Sequence, residues 1–190
     1  MSAVGDNRPF ADVLDAARRG EHWAVSRLWR DLHPRLLAWF RVADPDEGED
    51  LASEVWLELA RSISRFRGDE SDLRKFTFTI ARRRLIDRRR RRARQGTDPV
   101  DPEGLGGEMA AEDTEVAAAE ALGTERAVAL LRRLPPDQAE ALLLRILGDL
   151  DAAEVARVMG KRAGAVRVLQ HRGLRRLAQE LGEDPDQFAP

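Results

Sequence analysis

Apolar residues recur at helical spacing in two long parts of the chain, from about residue 9 to residue 95 and from about residue 126 to residue 181. Alternating patterns longer than four residues are missing, and strand-forming residues are sparse. The helical stretches are Val13–Ala17, Val25–Phe40, Leu51–Leu59, Leu73–Leu85, Leu142–Leu147, Val155–Met159 and Val166–Leu181. The pattern predicts an all-α fold.

The apolar periodicity stops between these two parts, where Gly, Pro, Asp, Glu and Ala dominate. Such a segment buries too little apolar surface to offset its ordering entropy, so we expect it to be disordered. The sequence therefore predicts two small helical domains, at residues 8–95 and 124–182, joined by a flexible acidic linker at residues 96–123.

Charge is sorted into blocks, although the net charge is only −2. Residues 61–94 hold fourteen Lys or Arg against four acids, residues 98–125 hold nine acids and no base, and residues 44–58 hold seven acids and no base. Such blocks indicate charged partners. The chain has no Cys, which excludes disulfides and fits a reducing cytosol. With no bilayer-spanning run or signal peptide, we expect a cytoplasmic protein without membrane contact.

The stretch from Asp151 to Leu181 has helix-turn-helix proportions: a short helix, a turn containing Gly160, and a longer basic helix. In such motifs the second helix enters the major groove, where Arg reads guanine or holds phosphate. Opposite its apolar face lie Arg167, Val168, His171, Arg172 and Arg175. A plain three-helix bundle with a solvated basic face is an equally good interpretation of this stretch alone.

A second candidate site is an arginine-rich helix end. Arg82, Arg83 and Arg84 precede five consecutive arginines at residues 88–92, and clustered arginines favour a polyanionic partner. Three aromatic residues lie just upstream, where stacking on unpaired bases is possible. They are Phe66, Phe76 and Phe78. The alternative is that each is a core residue.

A third candidate is an acidic helix face formed by Glu47, Asp50, Glu54 and Glu58 at spacings of three and four. It is either solvated or a docking surface for a basic partner protein. No metal, cofactor or catalytic site is indicated, since the three His lack ligand spacing. Two functions are compatible with these sites: an ordinary helix-turn-helix repressor or activator, and a nucleic-acid-processing enzyme, for which Asp50, Glu54 and Glu58 are the sole candidate metal ligands.

The order of the motifs adds a resemblance over nearly the whole chain. The motifs are Leu32–Leu37, Glu49–Trp56, Arg65–Gly68, Phe78–Arg82 and Ile86–Asp87, followed by Leu134–Gln138, Leu142–Arg145, Ala153–Ala156, Met159–Gly160, Gly164–Arg167 and His171–Arg172. In this order and separation they resemble domains two and four of the extracytoplasmic-function group of bacterial sigma factors.

The resemblance implies a promoter-specificity subunit whose partners are core RNA polymerase, promoter DNA and an anti-sigma factor. It implies docking on the clamp helices of polymerase through Glu47, Asp50, Leu51, Glu54, Trp56 and Glu58. It implies minus-10 recognition through Arg65, Phe66, Phe76, Arg82, Arg83, Arg84, Asp87, Arg88 and Arg91. It implies minus-35 recognition through Arg162, Ala163, Arg167, Val168, His171, Arg172 and Arg175. We expect the acidic linker or a partner to mask the basic surfaces of the free protein.

The chain departs from the family pattern at several positions. Phe76 stands where Trp is usual, and Arg83 stands where Asn is usual. In the recognition helix, Arg162 replaces a capping Ser, Val168 and Leu169 replace a polar pair, and Gln170 replaces Leu. At these positions the usual base contacts do not carry over directly, so we expect a shifted helix or redistributed phosphate contacts.

Overall fold

The computed structural model describes residues 8–95 and 125–184, and within these ranges every regular element is an α-helix. The all-α prediction is therefore confirmed. The predicted linker, residues 96–123, lies outside the described residues. The helices are α1 (Phe10–Arg18), α2 (His22–Ala43), α3 (Gly48–Ser62), α4 (Glu70–Gln95), α5 (residues 125–132), α6 (Pro136–Ile146), α7 (Ala152–Met159) and α8 (Ala163–Leu181).

Helices α1–α4 form the N-terminal unit. The apolar face of α2 lies against α1 and α3, and Leu36, Phe40 and Val55 are fully buried there. Helix α4 starts with a reciprocal cap, because the Asp72 backbone N–H donates to the Asp69 carboxylate at 2.8 Å and the Asp69 N–H donates back at 3.3 Å. The cap fixes where this 26-residue helix begins.

Helices α5–α8 form the C-terminal unit. Pro136 opens α6, as the sequence predicts, and Asp151 caps α7 in a capping box with Glu154. Gly160 ends α7 with φ of +65°, a left-handed conformation that glycine adopts without strain. The next helix follows after two residues, which gives the predicted helix-turn-helix.

The two units pack against each other, an arrangement the sequence does not predict. One continuous buried cluster contains Phe78 and Leu85 of α4 together with Leu143, Val155 and Met159 of the C-terminal unit. None of the described helices combines the length and apolar character that a bilayer crossing requires.

Candidate nucleic-acid interface

The second helix of the helix-turn-helix presents a basic face to solvent. Val166 is fully buried, whereas Arg167 and Arg172 are exposed and Val168 retains 47% of its surface. The Gln170 side-chain amide donates to the Ala141 backbone carbonyl at 3.2 Å, which ties α8 to α6. Because this bond fixes the rotation of α8 about its axis, the arginines face outward and Gln170 faces inward.

The remaining minus-35 candidates lie around the same face. Arg162 and Arg175 are exposed, and Ala163 and His171 are half-buried. Arg162 is the N-cap of α8 and makes no side-chain capping bond, and the first turn carries no acid. The positive end of the helix dipole is therefore not neutralised within that turn.

Helix α4 has three sides, and the first faces the acidic residues of α3. Arg84 Nη2 lies 2.6 Å from Glu58 Oε2, and Arg88 pairs with Glu47. Arg92 lies 2.9 Å from Glu47 and 3.3 Å from the buried carboxylate of Asp44. Helices α3 and α4 are antiparallel here, so successive acids of α3 pair with arginines of α4 in reverse order. The acidic face of α3 therefore neutralises this side of α4 within the molecule.

These contacts change the titration of the acids. Hydrogen bonds from Arg88 and then Arg92 hold the pKa of Glu47 below its usual value, although burial opposes the effect. Burial raises the pKa of Glu58, but hydrogen bonds from Arg83 and Arg84 outweigh it and the net shift is downward. Both carboxylates therefore stay ionised to lower pH than ordinary glutamates.

The second side of α4 faces the C-terminal unit. Phe78 is fully buried there, which fits the core interpretation of this residue. Arg82 Nε donates to Glu140 Oε1 of α6 at 2.7 Å, and both side chains are mostly buried. In this arrangement Arg82, a predicted minus-10 residue, is covered by the other unit.

The third side of α4 is open to solvent and carries Arg90, Arg91 and Arg94, which are exposed and make no ion pair with any residue in 8–95 or 125–184. Arg83 lies on the same side, 59% exposed although it pairs with Glu58, and Asp87 beside it is half-buried. Phosphates can reach this stripe of cations.

An aromatic pair extends this open side toward the start of α4. The half-buried rings of Phe66 and Phe76 lie 5.7 Å apart at an angle of 32°. Arg18 of α1 donates to the Phe66 carbonyl at 2.5 Å, which anchors the loop before α4, and Arg65 beside it is exposed. The pair offers an aromatic surface beside the cationic stripe, which suits stacking on an unpaired base.

The predicted polymerase-docking residues do not form one surface. Leu51 is buried in the core, and Glu47, Glu54 and Glu58 pair with arginines of α4. Asp50 is exposed and makes no ion pair within the part of the chain that the structure describes. The acidic part of the set is therefore largely neutralised within the molecule.

Trp56 lies on the other side of α3, in an aromatic cluster with two residues of α2. Its indole N–H donates to His33 Nδ1 at 3.2 Å, and the Trp29 ring stacks on His33 at 3.9 Å. Burial lowers the pKa of His33. With Trp29 42% exposed, the cluster is a partly apolar surface that the sequence patterns do not reveal.

The rival enzyme interpretation needs a metal-binding carboxylate cluster. Across residues 8–95 and 125–184, no group of three or more His, Asp or Glu side chains is placed to hold an ion. Glu54 and Glu58, two of its three candidate ligands, pair instead with Arg84.

Sequence reasoning missed the pairing between α3 and α4, although a signal for it was present. Glu47, Glu54 and Glu58 recur at helical spacing, and so do Arg84, Arg88 and Arg92. Two helices with complementary stripes at matched spacing can pair along their length. Helices α3 and α6 neutralise part of the basic surface of α4, whereas the expected masking by the acidic linker lies outside the described residues and masking by a partner stays a prediction.

Comparison with known families agrees with this geometry. Residues 28–95 match the model of Sigma-70 region 2, and residues 124–177 match that of Sigma-70, region 4, which together span well over half of the chain. The chain therefore belongs to the sigma-70 family of bacterial transcription initiation factors. Region 2 followed by region 4 is typical of the extracytoplasmic-function group, and the chain is a member of that group.

Solved structures are similar to this chain, and the CnrH structure shares its fold. One is "Structure of CnrH in complex with the cytosolic domain of CnrY", which is 19% identical with a TM-score of 0.58, covering 91% of this chain and 97% of that one. Another is the RsbN–BldN complex, which is 31% identical with a TM-score of 0.35, covering 88% of this chain and 98% of that one. No curated protein sequence matches the chain significantly.

Family membership gives the function. The protein is a promoter-specificity subunit that directs core RNA polymerase to promoters, and its region 4 is the DNA-binding helix-turn-helix. Sigma-70 proteins are initiation factors and not enzymes.

Proposed function

We propose that residues 8–95 dock on core polymerase and read and melt the minus-10 element, that residues 96–123 are the linker, and that residues 124–182 read the minus-35 element. The observation that carries this proposal is the presence of two outward-facing cationic surfaces on separate units. One is the open side of α4, and the other is the basic face of α8.

In the minus-35 element, α8 lies in the major groove. Arg167 and Arg172 reach base edges or phosphates, and Val168 offers an apolar contact of the kind that favours a thymine methyl. Arg162 and Ala163 at the start of the helix approach phosphate, where the helix dipole favours an anion. His171 and Arg175 border this contact.

In the minus-10 element, Phe66 and Phe76 stack on a base of the displaced strand, and Arg65 binds its phosphate. Arg83 and Arg91 follow the backbone, with Asp87 between them. Aromatic stacking and a cationic path together are the usual basis of single-strand binding. Arg84 and Arg88 shape this surface through their acid partners, and Arg82 reaches DNA after Glu140 releases it.

Docking on polymerase uses Asp50, which is exposed and has no ion pair among the described residues, and the exposed edge of the aromatic cluster around Trp56. Glu47, Glu54 and Glu58 do not contact polymerase in this proposal. They position the docking surface, because their ion pairs hold α3 against α4. Leu51 contributes from the core of the unit.

The protein works in the cytoplasm under the control of an anti-sigma factor. The family resemblance implies such a partner, and CnrH, which shares the fold, is solved in complex with the cytosolic domain of a second protein, CnrY. Co-purification from native cells tests this part, and recovery of the chain without any bound partner would contradict it.

Run-off transcription with core polymerase on a library of random promoters tests the main proposal. We expect the transcribed templates to share two sequence elements. Variants of α4 should lose selectivity for the minus-10 element, and variants of α8 should lose selectivity for the minus-35 element. A helix-turn-helix regulator acting alone would bind duplex DNA but fail to associate with core polymerase. That outcome would contradict the proposal.

A further inference from the structure

Helix α8 approaches α6 closely at one glycine. Gly173 is buried, and a Cβ atom added to it would lie 2.8 Å from Leu142 Cδ1 of α6, which is closer than carbon atoms pack in proteins. Glycine in the middle of a helix is destabilising relative to alanine, so this close approach gives a physical reason for a glycine here. Without a side chain at residue 173, α8 can lie near the backbone of α6.

One turn earlier in α8, Gln170 reaches that backbone. Its side-chain amide donates a hydrogen bond of 3.2 Å to the carbonyl of Ala141, and Gln170 is half-buried where Ala141 is fully buried. A backbone carbonyl cannot move by a change of rotamer, so the acceptor is fixed to the axis of α6. The bond therefore ties the rotation of α8 to the position of α6.

The apolar contacts of α8 constrain its rotation less. Val166 is fully buried, and Leu174 and Leu177 are partly buried against a cluster that contains Leu142 of α6. Apolar contacts are non-directional, so a small rotation of the helix changes their energy only slightly. A hydrogen bond weakens when its length or angle changes, which makes Gln170 a directional element of this interface.

A modest rotation of α8 is enough to change how its side chains meet DNA. Side chains extend about 5–6 Å from a helix axis, so a rotation of about 30° moves their ends by about 3 Å. A displacement of this size breaks a base-edge hydrogen bond, and it is close to the roughly 3.4 Å between successive base pairs. The base that a side chain reads therefore depends on the rotation of the helix that carries it.

We propose that Gln170 is a specificity-determining positioning residue for the minus-35 element, which acts by fixing the rotation of α8 and not by contact with DNA. The inference rests on the proposed function, because it requires α8 to read this element. Gln170 contacts α6, whereas Arg167, Val168 and Arg172 are exposed to solvent. The base preference of the exposed residues thus depends on a hydrogen bond made inside the C-terminal unit.

The test uses the full chain with core polymerase and a promoter library that is randomised only in the minus-35 element. Base frequencies among the transcripts give the preference at each position, and the total transcript yield gives the overall activity. Gln170→Met keeps the approximate size of the side chain and removes its donor. We expect it to lower the enrichment of the preferred base about fivefold at positions that Arg167→Ala also alters, a change of the size that one base-edge contact contributes.

Two further variants separate positioning from stability. Gln179→Met makes the same chemical change at an exposed position of α8 and should leave every base preference as in the natural chain. Gln170→Lys keeps a donor on a flexible stem, so it should retain the natural preference. A residue that served only the stability of the unit would lower the yield from all templates in proportion and leave the preferences unchanged.

Natural base preferences in Gln170→Met would overturn the inference, and so would equal changes in Gln170→Met and Gln170→Lys. Thermal unfolding followed by circular dichroism accompanies each variant, with Gln170→Glu as a second variant that lacks the donor. If neither Gln170→Met nor Gln170→Glu folds, Gln170 serves stability alone and the inference is also overturned. The proposed function would fail in a different way, because the natural chain itself would then show no minus-35 preference.

Discussion

Helices α4 and α8 are both rich in arginine, but the structure treats their charge differently. In α4, the side facing α3 pairs Arg84, Arg88 and Arg92 with carboxylates. In α8, Arg167 and Arg172 face solvent and pair with none of the acids that the structure describes. The number of arginines in a helix is therefore a poor measure of the charge it offers to DNA, because neighbouring acids decide how much remains.

The difference follows from what each helix packs against. Helix α4 lies beside α3, whose acids recur at a matching spacing. Helix α8 packs on α6 and α7 mainly through Val166, Leu174 and Leu177. Glu140 of α6 and Glu154 of α7 point instead toward α4, and Asp137 of α6 pairs with Lys161 in the turn before α8. The result is that two sides of α4 in region 2 are shielded, whereas the basic face of α8 in region 4 is open.

The largest expected effect is on promoter affinity, and it distinguishes two sets of arginines in α4. The open set, Arg90, Arg91 and Arg94, is exposed, and the paired set, Arg88 and Arg92, contacts acids. Replacing Arg90, Arg91 and Arg94 by Ala should lower promoter affinity by at least tenfold and reduce the salt slope by about 2, at about 0.7 per phosphate contact on single strands. Replacing Arg88 and Arg92 should flatten the slope less. Fluorescence anisotropy against salt concentration measures both.

Replacing Arg88 and Arg92 by Ala should instead lower thermal stability, since Glu47 would lose both of its cationic partners. Thermal unfolding of the two variants supplies this control. Equal flattening of the salt slope by the open and the paired set would show that the ion pairs with α3 do not shield these arginines from DNA.

The next effect concerns the open helix. Arg167→Ala should weaken minus-35 binding by about 1–3 kcal/mol if the guanidinium contacts a base edge, and it should relax sequence preference there. Arg30→Ala, an exposed arginine on α2, serves as the control. An unchanged minus-35 footprint with Arg167→Ala would remove this residue from the recognition surface.

The sequence was sufficient for the helices and for the two regions, because periodicity and capping act over a few residues. Asp151 and Gly160 mark α7 by local chemistry alone. Pairing across the chain was not predictable in this way. Arg82 is 58 residues from Glu140, and no local pattern indicates that this acid, and not DNA, is its partner in the packed state.

The site residues show the same limit. Trp56 and Glu58 are two positions apart, and one helix turns them to different sides, where they contact α2 and α4 respectively. The resemblance led us to predict one docking element that contains both residues, but only the packing of α3 shows that they lie on two faces. Likewise, only the packing of α3 on α4 shows that Asp50 stays exposed while its neighbours on α3 pair with arginines of α4.

A smaller effect separates the acids of α3 by their roles. Glu58→Gln should lower stability by about 1 kcal/mol, the size of a charge-assisted bond at a partly buried site, and should raise affinity for single-stranded DNA by freeing Arg83 and Arg84. Asp50→Asn should leave stability unchanged and weaken the association with core polymerase. Destabilisation by Asp50→Asn as large as that by Glu58→Gln would contradict this division.

The smallest expected effect is a pH dependence of the stability that Glu47 contributes through its pairs with Arg88 and Arg92. Hydrogen bonds from Arg88 and Arg92 lower the pKa of Glu47 in the folded state below its ordinary value of 4.5, so the folded protein holds its carboxylate ionised where the unfolded chain takes up a proton. The resulting stability is fully present above pH 4.5 and is lost as pH falls through the lowered folded pKa. The difference in unfolding free energy between the natural chain and Glu47→Gln should be about 0.5–1 kcal/mol at neutral pH, and it should shrink on acidification. Denaturant unfolding from pH 7 to pH 3 measures it, and a difference that is independent of pH would mean that the carboxylate charge of Glu47 does not hold Arg88 and Arg92 in place.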